Sequence, residues 1–225
     1  MRSEQAAPSS EQCPVDLQIC LGCGARFTNP AVDPDAPVLI CHDCGHRQPF
    51  LRLPMFVLTG PSGGGKSTVA RLLPQALADV AVVLEQDVLW TAGLQNPADD
   101  FAELRRAWLR MAVMIHQSGR PAVLVGTVVP VQFERRPERA FVGEIHYLAL
   151  VADPEVLRAR LRARPAWRGW DEPRIAETLE FNEWLRRNGP RLDPPVDLLD
   201  TTSRELTETA RLVIEWVLRG CVPAR

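Results

Sequence analysis

Lysine is almost missing from this chain. Its 225 residues carry 26 lysines and arginines together, and Lys66 is the one lysine among them. A chain this committed to arginine has kept an ammonium at a single position, which marks that position before any motif is read. An excess of basic charge is missing as well: the formal net charge is -2, so no global positive field draws in nucleic acid or an anionic membrane. Apolar runs of membrane-spanning length, about 18 residues, are absent, since a long apolar stretch such as "PAVLVGTVVPVQF" at 121–133 falls well short. The opening residues "MRSEQAAPSSEQ" lack the apolar core of an export signal. These absences give the expectation of a soluble, cytoplasmic protein that makes no membrane contact.

What is present divides the chain in three. Residues 1–15 are polar and aperiodic, the composition of a disordered tail. Residues 16–50 hold two cysteine pairs, Cys20-x-x-Cys23 and Cys41-x-x-Cys44, each followed by a glycine (Gly24, Gly45). The segment between the pairs contains Pro30, Pro34 and Pro37 and no helical period, so loops and short strands are expected. Below roughly 40 residues a chain seldom buries enough apolar surface to fold alone, and a metal is the usual stabiliser. The spacing fits a zinc ribbon, in which Cys20, Cys23, Cys41 and Cys44 bind Zn²⁺ as thiolates. A redox pair is the alternative, and His42 or His46 could replace one cysteine, but the four-cysteine set is the simpler site. Cys13 and Cys221 are expected to stay unpaired. The module sets Arg26 and Arg47 against Asp16, Asp33, Asp35 and Asp43, a balance that argues against nucleic acid and leaves a structural or protein-contact role.

From residue 51 to 225 the pattern becomes one of short apolar runs alternating with amphipathic helices. "MFVLT" (55–59), "VAVVLEQD" (80–87), "PAVLVGT" (121–127), "IHYLALV" (145–151) and "VDLLD" (196–200) are rich in Val, Ile and Leu without alternating, as strands buried on both faces should be. Helices are predicted at about 65–78, 99–118, 153–164, 172–187 and 203–219. Asp153-Pro154 supplies a cap followed by proline at the first helical position, and Thr202 with Glu205 fits a capping box. Such alternation implies an α/β domain with a parallel sheet and helices on both faces.

Gly60, Pro61, Ser62, Gly63, Gly64, Gly65, Lys66, Ser67 and Thr68 contain G-x-x-x-x-G-K-[ST], set between a buried strand and a helix as a phosphate loop requires. Glycines let backbone amides turn inward onto phosphate oxygens. Lys66 is then expected to reach the β- and γ-phosphates of ATP, with the Ser67 hydroxyl on Mg²⁺. A compact ammonium on a flexible stem fits inside such a backbone cradle; a planar guanidinium is larger and directs its hydrogens elsewhere.

"GPSGGGKSTVARLL", "VVLEQDVLW", "YLALVADPEVLRARLRARP" and "DLLDTT" together resemble the small P-loop kinases of the nucleotide-kinase-like group, which includes gluconate kinase, shikimate kinase and chloramphenicol phosphotransferase. The resemblance covers about residues 53–218. It implies a five-stranded parallel sheet in the order 2-3-1-4-5, a lid after the fourth strand, and transfer of phosphate from ATP to a small-molecule acceptor. It also implies that Asp87, at the end of the second strand, contacts the acceptor hydroxyl, and that Arg160, Arg164 and Arg168 approach the transferring phosphoryl group. Glu85, two residues earlier on the strand, would share its face. Thr201 and Thr202 match the segment after which the group binds adenine.

The residues themselves qualify this picture. On a helix Leu157 and Leu161 fall about 40° apart and mark the buried stripe, so Arg158 and Arg162 are solvated while Arg160 and Arg164 flank the stripe. Trp90, Phe101 and Trp108 lie in the acceptor region, yet aromatics so spaced are more often core, as Trp184 and Trp216 are expected to be. Arg105 and Arg106 read as a solvated helix face. The third strand ends in Gly126-Thr127, where many P-loop proteins carry an acid for Mg²⁺. Three functions stay open: a kinase for a hydroxyl on a nucleoside, sugar or antibiotic-like acceptor, a nucleoside monophosphate kinase, and an ATP-dependent module that recruits a partner through its ribbon.

Overall fold

The computed structural model describes residues 17–26, 30–94 and 96–221; the expected tail at 1–15 and Cys13 lie outside the described residues. Contacts group the chain into two compact units, one up to Phe50 and one from Leu51 onward. In the first, β1 (Ala31–Val32), β2 (Val38–Ile40) and β3 (Arg47–Pro49) form an antiparallel sheet in chain order. Leu39 fills its centre at 0% exposure, opposite Gln48, whose buried carboxamide accepts the Leu21 N–H at 2.9 Å. That bond ties the first cysteine turn to the sheet.

The second unit is built on β4 (Met55–Thr59), β5 (Val82–Glu85), β6 (Ala122–Val125), β7 (Ile145–Val151) and β8 (Val196–Asp200). All neighbours run parallel in the order β5-β6-β4-β7-β8, so the first strand of the five lies at the centre and the order is the 2-3-1-4-5 of the resemblance. Its helices are α1 (Lys66–Ala70), α2 (Leu73–Ala76), α3 (Asp87–Thr91), α4 (Ala102–His116), α5 (Val131–Glu134), α6 (Pro154–Arg162), α7 (Glu172–Asn188) and α8 (Leu206–Cys221). Phe56 and Leu58 pack with Leu148 and Leu150 against Val69, Leu73, Val213 and Trp216 of α1, α2 and α8. The alternate residues Met55, Val57 and Leu124 are equally buried, on the face that α4 and α7 cover. Burial on both faces is why these strands read as continuous apolar runs.

Four sequence expectations need correction. The second strand stops at Glu85 instead of 87: Gln86 turns helical (φ -54, ψ -39) after its N–H takes the last ladder bond to Val125 at 2.8 Å, and Asp87 opens α3. Glu85 and Asp87 therefore share no strand face. The helix expected over 65–78 breaks after Ala70, because Pro74 has no N–H to give the preceding turn. The last helix starts at Leu206, so Thr202 and Glu205 form no capping box, and the Thr202 hydroxyl instead accepts the Asp153 N–H at 2.7 Å. Trp184 is 39% exposed and stacks on Phe181, whereas Trp216 does join the core.

Other local readings hold. The Asp153 carboxylate accepts the N–H groups of Glu155 and Val156 at 2.9 and 3.3 Å, and Leu157 and Leu161 are both 0% exposed. At the end of β7 the buried Asn182 of α7 accepts from the Ala152 N–H at 3.2 Å and donates to the Ala152 carbonyl at 2.8 Å. One carboxamide thus satisfies both backbone groups of the residue that leads into α6. Asn182→Leu would orphan both, and about 2–4 kcal/mol of stability should be lost, seen as a lower urea midpoint at unchanged slope.

Candidate active site

The phosphate loop runs from the end of β4 into α1, and its backbone needs glycine at two points. Gly60 sits at φ +125, where an added Cβ would also collide with the Leu150 carbonyl, and Gly65 sits at φ +101 as the residue that caps α1. The Lys66 ammonium folds back over this loop and donates to the Gly60 and Pro61 carbonyls at 2.6 and 3.0 Å. Burial lowers its pKa to about 8, the nearby Arg164 charge pushes the same way, and Asp87 opposes both. Ser67 and Thr68 are exposed at the first turn of α1. The donor set suits a polyphosphate with its metal: turned backbone amides, one ammonium and a free-standing hydroxyl.

Beside the loop lies a cavity of about 300 Å³, lined by Gly63, Gly64, Gly65 and Thr68 on one side and by Arg160, Arg164 and Thr201 on another. The two helix arginines have different partners. Arg160 donates to the Thr201 hydroxyl and carbonyl at 3.2 and 2.7 Å and to the Thr202 carbonyl at 3.4 Å, so it braces the loop after β8. Thr201 in turn reaches the Gly64 carbonyl at 3.3 Å, while Thr202 is turned to Asp153.

Arg164 is half-buried, 5.0 Å from the Trp170 ring centroid, and Arg174 covers the same ring at 4.2 Å. Burial and the charges of Arg168 and Arg174 all lower the Arg164 pKa, the signature of cations gathered without neutralising carboxylates. Arg168 itself lies over the exposed Trp167 at 5.1 Å. Arg174 was not foreseen, because its place over Trp170 depends on how α7 packs after the turn at Gly169. Arg158 and Arg162 do face acids: Arg162 makes a two-point contact with Glu172 at 2.8 and 2.9 Å.

On the other side of the loop is a larger cavity of about 420 Å³. Trp90, Phe101, Trp108 and Phe181 line it with aromatic surface, and Gln86, Thr127 and Gln132 supply its neutral polar groups. Trp90 and Phe101, read from sequence as core, are half-buried and pack 5.2 Å apart; Trp108 is buried as expected but also forms part of the wall. Arg105, read as solvated, is 7% exposed and turned inward onto Asp100 at 2.8 Å, whereas Arg106 pairs with Glu103 and Glu138 at the surface. Asp87 is exposed at the start of α3 and lies outside the residues lining this cavity. Its neighbour Gln86 lines it.

Gln86 escaped notice in the sequence, and it accounts for the missing acid of the third strand. Its carboxamide oxygen accepts the Thr127 N–H at 2.7 Å, and its side chain lies so close to Gly126 that any Cβ there would strike it. Position 126 therefore has no room for a carboxylate beside Gln86.

In the cysteine module Cys20 and Cys44 place their sulfurs 3.7 Å apart and Cys23 and Cys41 3.8 Å apart, and all four lie within 4.8 Å of one another. A tetrahedron with Zn–S bonds of about 2.3 Å has edges of about 3.8 Å, so the four sulfurs fit one ion. Gly24 and Gly45 adopt φ +73 and +71 and donate to the Cys20 and Cys41 carbonyls at 2.8 and 3.0 Å, two matching turns that present the thiols inward.

Comparison with known proteins extends the geometry. The chain resembles the structure of a gluconokinase from Sinorhizobium meliloti 1021, with a TM-score of 0.54 and 20% identity over 74% of this chain and 92% of that one. A protein of Chloroflexus aurantiacus j-10-fl gives 0.51 at 19% identity over 76% and 98%. Shikimate kinase from Acinetobacter baumannii gives 0.49 at 20% identity over 77% and 98%. No curated protein matches in sequence. For the first two structures the likeness is one of fold, and that fold is the one the phosphate loop, sheet order and helix placement already describe. The model of the AAA domain family AAA_33 matches residues 55–189, more than half of the chain, and the protein belongs to that family.

Proposed function

We propose that the protein is an ATP- and Mg²⁺-dependent kinase that transfers the γ-phosphate to a hydroxyl of a small molecule held in the aromatic cavity. One observation carries this: Thr127 lines that cavity and its hydroxyl donates to the Gly60 carbonyl of the phosphate loop at 3.4 Å. That residue links the phosphate loop to a pocket sized for a small ligand. The arginine cluster on the opposite side of the loop supports the same assignment, since uncompensated cations beside a phosphate cradle suit a charge-dispersed phosphoryl group.

In this reading the loop amides and Lys66 hold the β- and γ-phosphates. Ser67 is the residue that would hold Mg²⁺, which would supply charge neutralisation of the phosphates. Arg164 and Arg168 spread charge over the phosphoryl oxygens as the lid comes over them, while Arg160 keeps the base side of the nucleotide pocket in shape. The acceptor oxygen forms a bond to the γ-phosphorus, the bond to the β,γ-bridging oxygen breaks, and ADP leaves. Asp87 takes the acceptor's proton. Its support is position: its charge opposes the lowering of the Lys66 pKa, and it follows Gln86 of the acceptor wall. In the N-terminal module Cys20, Cys23, Cys41 and Cys44 hold structural Zn²⁺ and present a protein-contact surface.

Asp87→Asn should lower kcat by about a hundredfold or more while the Kd for ATP stays within a few-fold, measured by ADP release and by equilibrium titration. Retained turnover removes Asp87 as the base.

The Lys66 pKa gives a second test. Without nucleotide its ammonium is half deprotonated near pH 8, and phosphate charge restores it, so ATP binding at pH 8 should take up about half a proton. Calorimetry in two buffers of different ionisation enthalpy reads that uptake, and Lys66→Met should abolish it. The sign for folding follows: the unfolded chain, with lysine near 10.5, binds more protons than the native one between pH 8 and 10.5. Nucleotide-free stability should therefore rise with pH across that window relative to Lys66→Met.

Chelation of zinc should unfold the N-terminal module with the release of one equivalent of Zn²⁺ per chain. Cys41→Ser should reproduce the effect in an amide-exchange experiment.

A further inference from the structure

The hydrogen bonds around the aromatic cavity restrict what can occupy it. Among the described residues that line it, Arg105 is the one cation. Its guanidinium is already engaged by the Asp100 carboxylate at 2.8 Å and by the Asp100 carbonyl, and its side chain is 8% exposed. A carboxylate or phosphate on the ligand would have to displace that partner or enter a largely apolar space unpaired, at high desolvation cost.

The two glutamines that line the cavity are committed with one polarity. Gln86 gives its carboxamide oxygen to the Thr127 N–H at 2.7 Å, and Gln132 gives its own to the Val129 N–H at 3.0 Å. Those bonds fix both amides, so what each has left for the cavity is its NH₂ group. Trp108 lines the cavity as an aromatic side chain, with its indole N–H buried. Two donors therefore stand in a cavity lined by the aromatic side chains of Trp90 and Phe101.

We propose that the phosphate acceptor is an uncharged molecule bearing a flat ring whose edge carries hydrogen-bond acceptors, such as ring carbonyls or ring nitrogens, beside the hydroxyl that is phosphorylated. This rests on the cavity being the acceptor site of a kinase. It selects the uncharged ring-bearing class over sugar acids and over nucleoside monophosphates.

The test separates binding from turnover. Full-length zinc-loaded protein is titrated, without nucleotide, with a panel of uncharged ring-bearing alcohols that includes nucleosides and aryl glycosides. It is also titrated with an anionic panel of nucleoside 5′-monophosphates, aldonic acids and hydroxylated ring carboxylates. Calorimetry reports the binding. At least one uncharged member should bind about tenfold or more tightly than its anionic counterpart. Tighter binding of the anionic partner, or no binding of any uncharged member at millimolar concentration, overturns the proposal.

Gln132→Glu keeps the shape and replaces a donor with an anionic acceptor, so affinity for the bound ring compound should fall at least about tenfold. Trp90→Leu, on a short half-buried helix, should lower it several-fold. If both variants keep their urea midpoints and bind as the parent does, the donor-and-ring assignment is wrong. ADP formation is followed separately with the ligand that binds: binding without phosphoryl transfer leaves the acceptor chemistry standing and removes the kinase.

Discussion

Burial of the central strand on both faces is the constraint from which the rest follows. All five residues of β4, Met55 to Thr59, are buried, so polar chemistry is excluded from the length of the strand and appears where the strand ends. There the chain turns at Gly60, and the side chains that close the turn act as fasteners. The Thr59 hydroxyl bonds the Val128 carbonyl at 2.7 Å, and Thr127 and Thr201 reach the loop carbonyls of Gly60 and Gly64 from either side. The loop is thus held from the ends of β6 and β8.

The two kinds of cation have different surroundings. Lys66 is enclosed among the loop carbonyls it donates to, and burial, with the Arg164 charge, lowers its pKa. The arginines rest on π-faces: Arg164 and Arg174 share Trp170, and Arg168 lies over Trp167. Aromatic support lets like charges gather without carboxylates, which would compete with phosphate for them. Arg158 and Arg162, on the other side of the same helix, are paired with Glu155 and Glu172 and so contribute to packing of α6 on α7.

Most of the fold was legible in the residues. Three strands, "MFVLT", "IHYLALV" and "VDLLD", have the bounds their composition gave, and Asp153-Pro154 begins its helix as a cap and proline should. Local rules failed where a contact from elsewhere intervened. Gln86 ends its strand because its side chain is needed by Thr127 and Gly126, some forty residues onward. Thr202 abandons its own helix for the Asp153 N–H. The aromatics at 90, 101 and 108 were ambiguous in principle, because periodicity shows that a face is apolar and does not show whether protein or ligand covers it.

By itself the sequence determined the chemistry that depends on local backbone: a phosphate loop with its single lysine, two cysteine turns at ribbon spacing, and strands apolar enough to be buried twice. Glycine at positive φ, a thiol pair on a turn and a run of β-branched residues act within a few positions of chain, and a reader of the chain meets them directly. Only the tertiary structure decided which polar atoms remain free. Whether Arg105 is a cation for a ligand or is spent on Asp100, and whether Gln86 and Gln132 offer an oxygen or an NH₂ group, depends on partners brought near by folding. Those commitments set the character of the aromatic cavity, because a group already bonded within the protein has little left to give a ligand.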